Sequence, residues 1–214
     1  LDGGRMWNDT VIETFACAPG THLSLTSFGL GRYPLDNLTQ RFAAVKEVLG
    51  KIKYRSTQER VALTDAIAAL VAQELPRDLM LTTTQLRALH AAGMEIGAHT
   101  VNHPILARTT PQEAEYEIVQ SRRTLQELLD DPIATFAYPN GRPGVDYEKT
   151  HVAMVRDAGF ASAVSTAWGA ARRGMSPFQL ARIAPWDTTP ARFGLRIVRS
   201  YFGAAPELLD EGLR

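Results

Sequence analysis

The sequence is poor in the features that mark several common chemistries. Cys17 is its only cysteine, which excludes an intrachain disulfide and any zinc or iron–sulfur site built from several thiolates of this chain. Lysine plus arginine number 23 and aspartate plus glutamate 23, so the formal net charge is zero. No broad basic field is present to draw in nucleic acid, and no acidic tail stands out. The cations are nearly all arginine, a bias that suits bidentate contacts with carboxylate or phosphate and that genome composition alone also produces. No apolar run approaches the roughly 20 residues needed to span a bilayer. The opening Leu1-Asp2-Gly3-Gly4-Arg5 has neither an initiator methionine nor the apolar core of a signal peptide, and it reads as the interior of a longer chain.

What is present is a globular pattern. Hydrophobic residues make up 45% of 214, enough to bury one sizeable core, so one domain over residues 1–214 is expected, and disorder and a collagen-like fibre are excluded. Residues 1–77 read as a mostly helical and loop region, with helices at about 38–49 and 57–75. In the second helix Val61, Ile67, Leu70 and Val71 supply the expected apolar stripe.

From residue 78 to 203 helices alternate with short apolar strands, the pattern of an α/β fold with parallel strands. Expected strands lie at 94–98, 133–137, 160–165 and 178–184. Expected helices lie beyond Thr83, beyond the capping box Thr110-Pro111-Gln112-Glu113, at 147–158, and at 190–202. Residues 204–214 are a C-terminal tail.

In a parallel sheet ligands bind at the C-terminal ends of the strands. Four such ends carry unusual residues: His99-Thr100-Val101-Asn102-His103, Tyr138-Pro139-Asn140-Gly141, Thr166-Ala167-Trp168 and Pro185-Trp186-Asp187. Parallel strands place all four on one face of the sheet, where they can line one pocket.

His99 and His103 are spaced so that, in a helical turn, both imidazoles stand on one side, as zinc ligation requires. Two ligands do not complete a site, and the bland alternative is one buried loop histidine beside one surface histidine. Tyr138, Pro139 and Asn140 with Gly141 form either an ordinary turn or one that aims a backbone N–H at an oxyanion. Trp186 is either a sugar platform or core, Trp168 reads as packing, and Arg182 is either a carboxylate anchor or half of a salt bridge. Arg192, Arg196 and Arg199 share one helix face and read as solvated.

Two of these motifs resemble those of a known family. Gly97-Ala98-His99-Thr100-Val101-Asn102-His103-Pro104 is similar to the His-Ser/Thr-x-x-His-Pro motif of the polysaccharide deacetylases, the NodB-homology family. Phe136-Ala137-Tyr138-Pro139-Asn140-Gly141, about 35 residues later, resembles the family's next motif, Arg-Pro-Pro-Tyr-Gly or its variant Ala-Tyr-Pro-Tyr-Gly. The resemblance covers roughly residues 78–190. It implies a distorted (β/α) barrel, incomplete here at its N-terminus, with one divalent metal ion, most simply zinc, and metal-dependent hydrolysis of N-acetyl groups on the amino sugars of a glycan.

By the same resemblance His99 and His103 are metal ligands and the Asn140 backbone N–H is the oxyanion donor. Tyr138, Pro139, Trp186 and Arg182 border the substrate. The sequence departs from the family in three places. No Thr-Phe-Asp-Asp run supplies the catalytic base and third ligand, so the resemblance places those aspartates upstream of Leu1 and leaves this chain without a catalytic base. Ala137 stands where the third motif usually has arginine, and no Leu-x-His follows Trp186. The alternative is therefore a catalytically silent relative that binds glycan or supports glycan assembly. The partner implied is an N-acetylated glycan, with no nucleic acid. The envelope and cytoplasm of a bacterium are both compatible with the sequence.

Overall fold

The computed structural model describes residues 3–210. Leu1 and Asp2 of the opening stretch, and residues 211–214 of the expected tail, lie outside the described residues. The chain forms two compact units, one running through Gly93 and the other beginning at Met94. No helix among the described residues is long and apolar enough to cross a membrane.

The first unit contains α1 (Trp7–Cys17), β1 (His22–Ser24), β2 (Arg32–Pro34), α2 (Leu38–Ile52), α3 (Thr57–Ala68) and α4 (Thr83–Ala91). Side-chain caps set the helix starts: Asn37 accepts the Gln40 N–H, while Ser56 and Glu59 cap each other's backbone. Val11 and Phe15 of α1, Ala44, Val48 and Ile52 of α2, and Leu63 and Ile67 of α3 make its core. The structure shortens the expected 57–75 helix and shifts its stripe. Arg60, Leu63, Thr64 and Ile67 form the buried face, whereas Val61 and Leu70 are exposed. The register follows Arg60, whose guanidinium lies 4.8 Å from the centre of the Trp7 ring, so a cation–π contact occupies a place that hydrophobicity assigns to an aliphatic residue.

The second unit contains α5 (Pro111–Leu129), β3 (Thr135–Ala137), α6 (Lys149–Asp157), β4 (Ser162–Trp168), β5 (Leu180–Arg182) and α7 (Pro190–Phe202). The strands form one sheet in the order β3-β4-β5, every neighbour parallel. The strand expected at 94–98 is reduced to a parallel bridge between Ala98 and Phe136, held by Ala98 N–H to Thr135 O and Ala137 N–H to Ala98 O, both 2.9 Å. Ala98 is buried and Met94 exposed, so burial favours pairing only at the end nearest His99. The architecture is mixed α/β as expected. Of the distorted barrel expected to be incomplete at its N-terminus, the described strands of this unit form an open three-stranded parallel sheet with Ala98 at its edge, and among the described residues no barrel closes.

Under the sheet, Phe136 meets Tyr138 and Phe160 edge-on or tilted, and Tyr138 stacks on Tyr147 with ring centres 3.9 Å apart. Arg122 of α5 donates to Ile133 O at 2.9 Å and Ala158 O at 2.6 Å and lies over the Phe160 ring. It thereby fastens α5 to the start of β3 and the end of α6. Replacing Arg122 with alanine strands two half-buried carbonyls. The expected loss is about 2–4 kcal/mol of unfolding free energy, read from urea denaturation.

Candidate functional site

The His99–His103 segment is a loop of unusual backbone. Thr100 has φ 63° and His103 φ 52°, left-handed values that a β-branched residue adopts only at a cost of about 1–3 kcal/mol. The expected helical turn is not what brings the imidazoles together. Two left-handed residues fold the loop back, and the rings meet edge to face with centres 4.8 Å apart.

Glu117 offsets the strain. Its carboxylate is buried on the inner face of α5. One oxygen accepts the Val101 and Asn102 backbone N–H groups at 2.7 and 2.8 Å, and the other accepts Asn102 Nδ2–H at 2.7 Å. Within the loop, Thr100 Oγ1 donates to His99 O and accepts the His103 N–H at 3.1 Å. The sequence reading missed Glu117, yet it carried a signal, because a carboxylate between Ala114 and Ile118 on a core-facing stripe needs donors to be buried at all.

The His99 ring is oriented from the sheet. Its Nδ1 lies 2.6 Å from Ala137 O, and since a carbonyl only accepts, Nδ1 carries the proton and Nε2 keeps its lone pair. Surrounding protein lowers the His99 pKa by disfavouring the charged ring, the bond to Ala137 opposes this, and the nearby Arg182 charge lowers it further. The residue is nevertheless open to solvent. A neutral imidazole with Nε2 free is the form that ligates a metal ion.

Beyond Ala137 the chain enters the 138–141 turn. Tyr138 is fully buried and donates from its hydroxyl to Phe178 O at 3.0 Å. Asn140 and Gly141 are both left-handed, with φ 56° and 70°. Thr166 of β4 fixes them, its N–H bonding Gly141 O at 2.8 Å and its hydroxyl bonding Asn140 O at 2.7 Å. The Asn140 backbone N–H has no acceptor among the described residues, so it is available to an external oxygen. A Cβ on Gly141 would come within 3.0 Å of Thr166 N and Tyr138 O, so the turn admits only glycine there.

Arg182, at the end of β5, donates Nε–H to Ser165 O at 2.7 Å and turns its charge toward His99. The structure thus brings His99, His103, the 138–141 turn, Thr166 and Arg182 to one edge of the sheet. Trp186 departs from its expected place in a pocket wall and stands 81% exposed, because only Leu180–Arg182 pair with β4 and the chain has left the sheet before reaching it. Trp168, expected to be packing, is half-exposed on the cleft side instead. Among the described residues no three His, Cys, Asp or Glu side chains cluster as a metal site. The histidine pair therefore offers two donors.

Glu117→Gln keeps the volume and removes the charge that holds the loop. Unfolding free energy is expected to fall by about 2–3 kcal/mol, and the cross-peaks of Val101 and Asn102 in amide spectra to shift, while those of α7 stay in place. Unshifted loop amides would show that the carboxylate is not the anchor.

The sequence profile of the polysaccharide deacetylase family matches residues 43–163. It begins well upstream of residue 78, where the motif resemblance starts, and ends before Arg182 and Trp186. YxkH of Bacillus subtilis strain 168, named for the polysaccharide deacetylases, is 27% identical over 103 residues, covering 48% of this chain and 36% of YxkH. The structure of Streptococcus pyogenes deacetylase PplD in complex with acetate is similar with 28% identity and a TM-score of 0.45, covering 52% of this chain and 46% of that one. That of BC0361, a polysaccharide deacetylase from Bacillus cereus, is similar with 21% identity and a TM-score of 0.49, covering 59% and 38%. The matched region thus spans about a third of YxkH and less than half of PplD. With a family profile matched over more than half its length, and both motifs at one sheet edge, this chain belongs to the polysaccharide deacetylase family.

Proposed function

We propose that the site takes part in removing N-acetyl groups from the amino sugars of a glycan, with His99 and His103 as two ligands of a divalent ion, zinc in the first instance. The observation that carries the reading is the Nδ1–Ala137 bond, which leaves His99 Nε2 unprotonated beside the His103 ring. The donor set fits zinc as far as it goes: two imidazoles, one with a backbone carbonyl as outer partner. When bound, such an ion lowers the pKa of water and polarises a carbonyl oxygen.

The chain's own groups do the rest. The Asn140 N–H donates to the oxygen that gains charge as the acetamide carbon becomes tetrahedral. Thr166 keeps that N–H aimed by holding the carbonyls of Asn140 and Gly141, which fixes the left-handed turn that follows it. Arg182 adds positive charge on the same side, and Glu117 keeps the ligand loop closed. No residue of this chain is assigned as the base that takes the proton from water.

A second reading, a glycan-binding relative without hydrolysis, is favoured by one observation: the described residues bring no third ligand to the histidine pair. Zinc titration by calorimetry together with acetate release from an N-acetylglucosamine oligomer separates the two. The enzyme reading expects one zinc per chain, weakened in His99→Ala and in His103→Ala by more than the roughly 10–100-fold typical of outer-sphere changes, and acetate release that needs added zinc. Gly141→Ala should retain zinc and lose about 10²–10³-fold in rate, since it re-aims the Asn140 N–H. Glycan binding without zinc uptake or acetate sinks the enzyme reading and leaves the second.

A further inference from the structure

At the C-terminal end of β4 lies a cleft of about 700 Å³, walled by Trp168 and Gly169, by the Arg142–Gly144 loop and by the 203–209 segment. It continues into a depression of about 530 Å³ along α7, and Trp168 and Arg199 line both. The 203–209 segment is tied down at its two ends. Arg172 donates to Gly203 O at 2.5 Å, and the buried Gln179 amide brackets Leu209, accepting its N–H at 3.1 Å and donating to its carbonyl at 2.9 Å. Gly169 allows the segment to lie against β4, since a Cβ there would come within 2.8 Å of Pro206.

The groove sorts charge in a chain whose net charge is zero. Arg142, Arg192, Arg196 and Arg199 line it, against the acids Asp187 and Glu207. Arg196 is already committed, stacked 4.9 Å over the Trp168 ring and forked onto Asp187. Arg142 is paired with the buried Asp146. Arg199 has no carboxylate partner among the described residues, and Arg192 reaches Asp187 only through its field. The groove therefore presents two guanidinium forks that are not in ion pairs, beside a half-exposed indole. The groove also joins the candidate site, because Thr166 lines it while bonding Asn140 and Gly141, and Arg142 follows Gly141 directly.

We propose that this groove is a subsite for an acidic sugar, a uronate-type carboxylate held by Arg192 and Arg199 with the ring against Trp168, next to the amino sugar that reacts. The proposal rests on the deacetylase reading and adds its substrate class: an anionic glycan in which N-acetylated and carboxylated sugars lie side by side. Guanidinium forks match carboxylate geometry, and an indole face suits the C–H face of a pyranose.

Calorimetry with two probes tests it: a tetrasaccharide alternating glucuronate with N-acetylglucosamine, and the neutral tetramer of N-acetylglucosamine. The acidic probe should bind about tenfold tighter or more at 50 mM salt, as one or two charge-assisted bonds would give. The margin should shrink at 500 mM salt and vanish in the Arg192→Gln/Arg199→Gln double variant, whose substitutions sit on an exposed helix face. Equal binding of the two probes, binding of neither, or a preference that survives the double variant would overturn the subsite. His99→Ala is the control for the underlying reading: acidic preference retained while wild type and variant alike release no acetate would fail the deacetylase reading and leave the subsite standing.

Discussion

The site depends on one buried carboxylate. Without Glu117 the 99–103 loop would keep Thr100 and His103 in left-handed conformations at a cost of about 1–3 kcal/mol each, with two backbone N–H groups unanswered. Hydrogen bonds to an ionised acceptor contribute about 1.5–3 kcal/mol apiece, and Glu117 accepts three. The balance favours the strained loop. It also links the histidine pair to the longest helix of the unit, so that placing α5 on the sheet places the 99–103 loop as well. Arg122, five residues beyond Glu117 on the same helix, secures the other end of that arrangement at Ile133 and Ala158.

The sheet contributes order along one edge. With Ala98, β3, β4 and β5 side by side and parallel, each strand end delivers one component: the histidine loop, the 138–141 turn, Thr166, and Arg182. Adjacent strands stand about 4.8 Å apart, so neighbouring ends are within side-chain reach of one another. His99 on Ala137 O, Thr166 on the carbonyls of Asn140 and Gly141, and Arg182 on Ser165 O are the bonds that use that spacing. Each component is thereby held by the strand next to its own, so the geometry survives although the described sheet is open.

The sequence made this edge legible because its signals are local. Gly93 ends α4 and Gly159 ends α6, a short apolar run follows each, and polar or aromatic residues come next; the two histidines stand out on that grammar, and the Asn-Gly turn stands out after the apolar run of β3. What escaped was set by contacts distant in sequence. Glu117 acts on residues 15 and 16 positions away, and Arg60 draws its burial from Trp7. Helix α1 and the β1–β2 hairpin, with Leu23 opposite Tyr33, were too short or too mixed in pattern to be read. Trp186 was misplaced for a related reason: periodicity extended β5 to residue 184, whereas pairing with β4 stops at Arg182.

Trp168 shows how a change in one strand's length alters chemistry. The expected strand ended at 165, which would leave Trp168 in a loop, free to pack inward. In the structure β4 continues to Trp168 opposite Arg182, and strand alternation buries Ala167 and turns Trp168 outward. Arg196 then covers part of the indole and is neutralised by Asp187, so the positive charge left over on α7 belongs to Arg192 and Arg199. An arginine-rich helix face that reads in sequence as plain solvated surface thus acquires direction: one guanidinium is used to build the wall, and the two that remain face the groove beside it.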